Sequence, residues 1–149
     1  MLKGTISFAV VLVLCAGLYA QDHPKIYSVA ASGDPVWVIL NHVKADKRPQ
    51  FEKFVYEVLL PALEKKAESD PSSRKIIEHT RMLEATKADK DSSYTYIWLM
   101  DPVVKEANSS YPGVIGAVHS PEETEKYLSM VDECLVAPQV FYAVKQGRW

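Results

Sequence analysis

The stretch at residues 94–100, YTYIWLM, is the feature that most narrows what this chain can become. Aromatic and β-branched residues dominate it and no turn former interrupts it, so it reads as a strand. Side chains alternate along a strand, which puts Tyr94, Tyr96, Trp98 and Met100 on one face and Thr95, Ile97 and Leu99 on the other. Neither face suits water. The strand must sit in a sheet with helices on its aliphatic face, and its aromatic face is too large an apolar patch to be left bare.

The rest of the chain supplies the partners. Residues 36–44 (VWVILNHVK) are apolar on both faces before they meet Asn41 and His42, the pattern of a central strand. Across residues 48–66, Phe51, Phe54, Val55, Val58, Leu59, Ala62 and Leu63 form the stripe of an amphipathic helix, which Pro61 should bend. A polar loop over 68–74 leads to a predicted strand over 76–86, and the charged run 87–93 (KADKDSS) reads as a turn. Residues 101–118 form a long connection with Pro102, Pro112, Gly113 and Gly116, a length that favours a functional flap. Ser120, Pro121 and Glu123 then make a capping box that starts a helix through Leu135. Pro138 stops it, and residues 140–145 (VFYAVK) give a last strand.

The N-terminus adds an address. Met1, Leu2 and Lys3 precede an apolar run over residues 6–18, which fits the core of a signal peptide and falls short of the roughly twenty residues a spanning helix needs. Cleavage after Ala20 is expected, with a retained anchor as the alternative, although Leu18 is not the small residue such sites prefer. The organisation is therefore a signal peptide over 1–20, a polar leader over 21–35 and a single domain over 36–149, exported to a secreted or periplasmic location. Once Cys15 leaves with the signal, Cys134 has no intramolecular partner, and a buried structural thiol on a helix face is the expected reading. No second apolar run suggests a membrane span. The formal net charge of −2 and the lack of a basic stripe argue against nucleic acid. No zinc spacing, phosphate loop, nucleophile elbow or calcium loop occurs.

The order strand, helix, strand, strand, helix, strand predicts an α+β, ferredoxin-like βαββαβ fold, with two helices on one face of a four-stranded antiparallel sheet. Over roughly residues 36–146 the chain resembles the dimeric α+β barrel superfamily, which includes antibiotic-biosynthesis-type and haem-degrading monooxygenases. The likeness rests on PVWVILNHVKAD opening onto RPQFEKFVYEVLLPAL, and on YTYIWLM placed before a second helix. It implies a homodimer formed by paired sheets and a pocket between each sheet and its helices or loops. The haem-degrading members use a strand-one asparagine, a tryptophan near strand three and a histidine on the second helix. Asn41 and Trp98 match the first two, but residues 121–135 hold no histidine, so haem is not expected and the cofactor-free members are the closer comparison.

Candidate site residues follow. If 76–86 is a strand, His79 and Arg81 point the same way, and an imidazole could take a phenolic proton while the guanidinium holds the anion. The alternative is that Arg81 pairs with Glu57 or Glu64 and His79 lies exposed. Asn41 and His42 fall on opposite faces of the first strand. The candidate catalytic set is His79, Arg81 and Asn41, with Trp98, Tyr94 and Tyr96 either a ligand platform or a dimer core. His23, His119 and the 87–91 charge run are expected to be solvated, and Asn108, Ser109 and Ser110 form a glycosylation sequon relevant to a eukaryotic source. Two functions fit: a cofactor-independent oxygenase or related enzyme on a hydrophobic aromatic molecule, or a non-catalytic module that binds a small hydrophobic ligand or acts by dimerising.

Overall fold

The apolar alternation of the first strand makes it the centre of the sheet. In the computed structural model, which describes residues 28–106 and 108–148, β1 (Pro35–Val43) pairs with both β3 (Tyr94–Met100) and β4 (Val140–Lys145). β2 (Thr80–Leu83) pairs with the far side of β3, so the order is β2-β3-β1-β4 with every neighbour antiparallel. That is the ferredoxin-like α+β arrangement the sequence predicts. The signal peptide, its cleavage site and His23 lie outside the described residues. The end of the leader is placed against the domain: Ala30 is buried and its N–H donates to Asp101 at 2.7 Å. Pairing continues past Pro35, where Gly33 N–H donates to the Gln146 carbonyl and Gln146 N–H to that of Asp34, both at 2.9 Å.

The predicted first helix forms in three pieces: α1 (Arg48–Lys53), a π-helical segment (Phe54–Leu59) and α2 (Leu60–Ala67). Pro61 explains the middle piece. Its ring would crowd a carbonyl four residues earlier and it has no N–H to donate, so the preceding turn widens and Leu60 N–H reaches back to Val55. The apolar stripe survives this, and all seven of its residues are buried.

A correction concerns residues 68–79. They hold α3 (Pro71–His79), not a loop and the start of a strand. Asp70 caps it by accepting from Ser72 N–H at 3.0 Å, and Pro71 occupies a first-turn position where its missing N–H costs nothing. β2 is correspondingly short. The 101–118 connection also contains an element, α4 (Tyr111–Ile115), capped by Ser110 accepting from Gly113 N–H at 3.1 Å. Val104, Val114 and Ile115 are buried in the core, so this stretch is a packed wall and not a loose flap. α5 (Pro121–Cys134) begins with the predicted capping box, both arms of which are made. Cys134 is buried, its Sγ lies 3.1 Å from the Met130 carbonyl, and burial pushes its thiol up, as suits a structural residue.

The two faces of the sheet are assigned the other way round from the sequence expectation. Tyr96, Trp98 and Met100 are buried in the helix-facing core with Val43, Phe51, Phe54 and Ile115. The register sets Tyr94, Tyr96, Trp98 and Met100 opposite Val43, Asn41, Ile39 and Trp37, so these residues form the inner face. Ile97 and Leu99 lie on the outer face beside Leu40 and Val38, flanked by Leu83, Val140 and Tyr142. Aromatic rings take the inner place and pack in the core against the helices. Tyr96 packs on Phe51 at 4.9 Å between centroids, and Tyr111 on Phe54 at 5.3 Å.

Candidate functional site

A cavity of about 360 Å³ opens between the inner face of the sheet and the helices. Trp37, Ile39, Trp98 and Met100 form its sheet wall, Leu59, Leu60, Leu63 and Ile76 its helical wall, and Ser109 to Tyr111 and Val114 close one side. Phe141 stacks edge-on against Trp37 at 5.3 Å and is half exposed, which marks the mouth. The volume falls in the range of roughly 300–1,000 Å³ usual for small-molecule sites.

One end of this space has a polar floor. Trp98 Nε1–H donates to the Tyr111 hydroxyl at 2.8 Å, and that hydroxyl donates to Asn41 Oδ1 at 3.4 Å. Asn41 Oδ1 also accepts from Gln139 Nε2 at 2.6 Å, while Asn41 Nδ2 donates to the Tyr96 carbonyl at 3.5 Å. Asn41 is fully buried, and its three hydrogen bonds are what make a buried amide tolerable on a central strand. Burial pushes the Tyr111 phenol up to about 12, against the milder opposite pull of Trp98 and Gln139, so it is a neutral phenol near pH 7. Tyr111 is the one titratable group among the described residues lining the cavity.

Tyr96 belongs to a neighbouring cluster. Its hydroxyl donates to Glu52 Oε1 at 2.5 Å and accepts from Arg48 Nε at 2.8 Å, and Arg48 also donates to Glu52 at 2.8 Å. The Arg48 guanidinium lies 4.8 Å from the Tyr94 ring centroid. Burial first and the Glu52 carboxylate second raise the Tyr96 phenol, while the hydrogen bond from Tyr96 and then that from Arg48 lower the Glu52 carboxyl. Tyr94 and Tyr96 are therefore spent on this triangle. Neither lines the cavity, so of the three aromatic residues in the predicted platform, Trp98 alone does.

His79 and Arg81 are not brought together. His79 ends α3 with Nδ1 3.2 Å from the Pro102 carbonyl, whereas Arg81 lies on the outer face of β2 and donates to Asp101 at 2.8 Å. The predicted alternation fails because residue 79 is helical and the strand begins at Thr80. Arg81 does find an acid, but it is Asp101, not Glu57 or Glu64. Neither residue lines the cavity. Asn41 and His42 do take opposite faces; His42 Nδ1 meets Thr95 Oγ1 at 2.9 Å on the outer side, and Thr95 donates to Asp89 at 2.5 Å.

Tyr111, Gln139 and Thr80 are the cavity residues that sequence reasoning missed. For Tyr111 a signal existed: Ser110 followed by Pro112 is a helix start, and it places the tyrosine in the first turn. Gln139 and Thr80 carry no local mark. No family model matches the chain, and no curated protein matches it. Among solved structures it is similar to a candidate antibiotic biosynthesis monooxygenase from Caulobacter crescentus CB15, with 10% identity and a TM-score of 0.40 over 78% of this chain and 92% of that one. The properties of the site rest on this chain's own residues. By its strand order the chain is a ferredoxin-like α+β domain, and its inner sheet face is the floor of a cavity.

Proposed function

We propose that this is an exported, secreted or periplasmic, small-molecule-binding protein that holds a largely apolar ligand between sheet and helices. The observation that carries the reading is a cavity walled by aliphatic and aromatic side chains, with a single buried polar cluster, Asn41, Tyr111 and Trp98, at one end. Such a site gains affinity from apolar burial and orientation from a few polar groups. Export follows from the apolar run over residues 6–18 and the polar segment after Ala20. A homodimer is part of the proposal, through the outer sheet face with its Val38, Leu40, Ile97 and Leu99. The cofactor-free character expected from the sequence is kept as part of the same proposal.

Binding ranks above catalysis in this proposal because, among the described residues lining the cavity, the one titratable group is a phenol that stays protonated. The oxygenase reading has one observation in its favour. Asn41 and Trp98, the two positions the family resemblance singles out, both bond to the same Tyr111 hydroxyl at the cavity floor.

Isothermal titration with fluorene tests the binding reading. Saturable binding of one molecule per chain is expected, lost when Ile39→Trp fills the space. Absent or non-saturable binding, or binding indifferent to Ile39→Trp, refutes it. Oxygen uptake with 1,4-naphthalenediol above the protein-free rate, abolished by Tyr111→Phe, would move the assignment to the oxygenase.

A further inference from the structure

A second, smaller cavity of about 200 Å³ lies beside the first, bounded by Tyr56, Glu64, Ile77 and Met82 and sharing Leu60, Leu63, Thr80 and Trp98 with it. Thr80 therefore stands at the junction. Its Oγ1 is buried and, among the described residues lining the two compartments, it is the one buried side-chain oxygen without a hydrogen-bond partner. Several other polar groups nearby are engaged, Trp98 with Tyr111, Ser110 with Asn108, Gln139 with Asn41, and Tyr56 with Glu84, while Glu64 lies at the edge of the smaller compartment and Ser109 at that of the larger. Buried hydroxyls in folded proteins are nearly always paired, since an unpaired one loses its hydration without return.

The sheet register explains why this hydroxyl faces the cavity. Thr80 pairs with Met100 and Met82 with Trp98, so both β2 residues share the inner face, whereas Arg81 and Leu83 face outward. A valine would fill the same place on a strand and leave no polar atom behind. The threonine is costly to an empty cavity and useful to an occupied one. Its hydroxyl can donate to a carbonyl or accept from an alcohol.

We propose that the ligand is an elongated, mainly apolar molecule with an oxygen near its middle, lying across both compartments, and that Thr80 Oγ1 selects for it by hydrogen bonding to that oxygen. This rests on the binding role of the cavity and adds the ligand's shape, its polar group and the residue that reads it. One end would fill the larger compartment towards Trp37 and Phe141, and the other the smaller compartment towards Ile77 and Met82.

The test compares 9-fluorenone with fluorene, two tricyclic probes that differ at one central position, a carbonyl in place of a methylene. Titrations of the full chain should give about tenfold tighter binding of fluorenone, the value of one hydrogen bond to an otherwise unpaired group. Thr80→Val should erase that preference, and Thr80→Ser should retain it. Thr80→Val should also melt no lower than the native chain without ligand, because it removes a buried hydroxyl with no partner. Narrowing the smaller compartment with Ile77→Phe should weaken fluorenone. Equal affinities for the two probes, as a water-satisfied hydroxyl would give, or a preference that survives Thr80→Val, overturn the assignment to Thr80. Unchanged fluorenone binding to Ile77→Phe overturns the elongated shape. Binding of neither probe overturns the cavity reading itself.

Discussion

Single side chains on the inner face divide into those that hold the fold and those that face the cavity. Tyr96, fully buried, belongs to the first group, because its hydroxyl both donates to Glu52 and accepts from Arg48. Tyr96→Phe should lower unfolding free energy by about 1 kcal/mol in urea titrations, since it removes a hydrogen bond from each of two partners that still pair with each other. A pH dependence accompanies this. The folded Glu52 carboxyl is held below its ordinary 4.5, so its contribution is complete above that pH and fades as acid protonates it in the fold. The acid loss should be smaller in Tyr96→Phe, whose missing hydrogen bond is the largest cause of the shift; an identical pH profile would count against it. At this scale the sequence was partly legible. Asn41 and Trp98 stood out as a polar and an aromatic residue on apolar strands; Trp98 lines the cavity, and Asn41 stands behind it, bonded to the lining residues Tyr111 and Gln139. His79 and Arg81 misled because their pairing assumed a strand at residue 79.

Elements were legible where the local signal was strong and unopposed. Seven consecutive strand formers gave β3 its bounds, and the Ser120 capping box gave α5 its start. Residues 71–79 were missed because Ile76 and Ile77 look β-like, while the helix depends on the Asp70 cap and Pro71 at its first turn. Asp70 accepts from Ser72 N–H and from the hydroxyls of Ser72 and Ser73, which hold its carboxyl down to about 2. Asp70→Ala should lower the melting temperature at pH 7, and the gap from the native chain should close as pH falls from about 4 towards 2, because a protonated Asp70 caps poorly. A gap independent of pH would assign the loss to packing instead. Sheet facing was the larger miss. Alternation shows which residues share a face but not which face the helices choose, a choice made by tertiary packing between distant segments.

For the whole molecule, this inversion moves the expected dimer interface without removing the reason for one. The outer face carries Val38, Leu40, Ile97, Leu99, Leu83 and Tyr142, with Leu83 46% and Tyr142 51% exposed. An apolar sheet face of that extent calls for cover, and a second copy presents a matching surface by symmetry. Light scattering at micromolar concentration should give a dimer for the native chain and a folded monomer for Leu99→Asp, whose carboxylate would sit at the centre of the paired faces. A native monomer would sink the paired-sheet proposal. The chain also enters β1 and leaves β4 side by side, since Pro35 pairs with Lys145 and Gly33 with Gln146. Tension drawn between those two points loads the β1–β4 ladder one rung at a time, as a zipper opens, and not all rungs together in shear. Anchored at both ends, this domain would be mechanically soft along that direction, yielding β4 first and, as Phe141 is drawn away from Trp37, widening the mouth of the cavity.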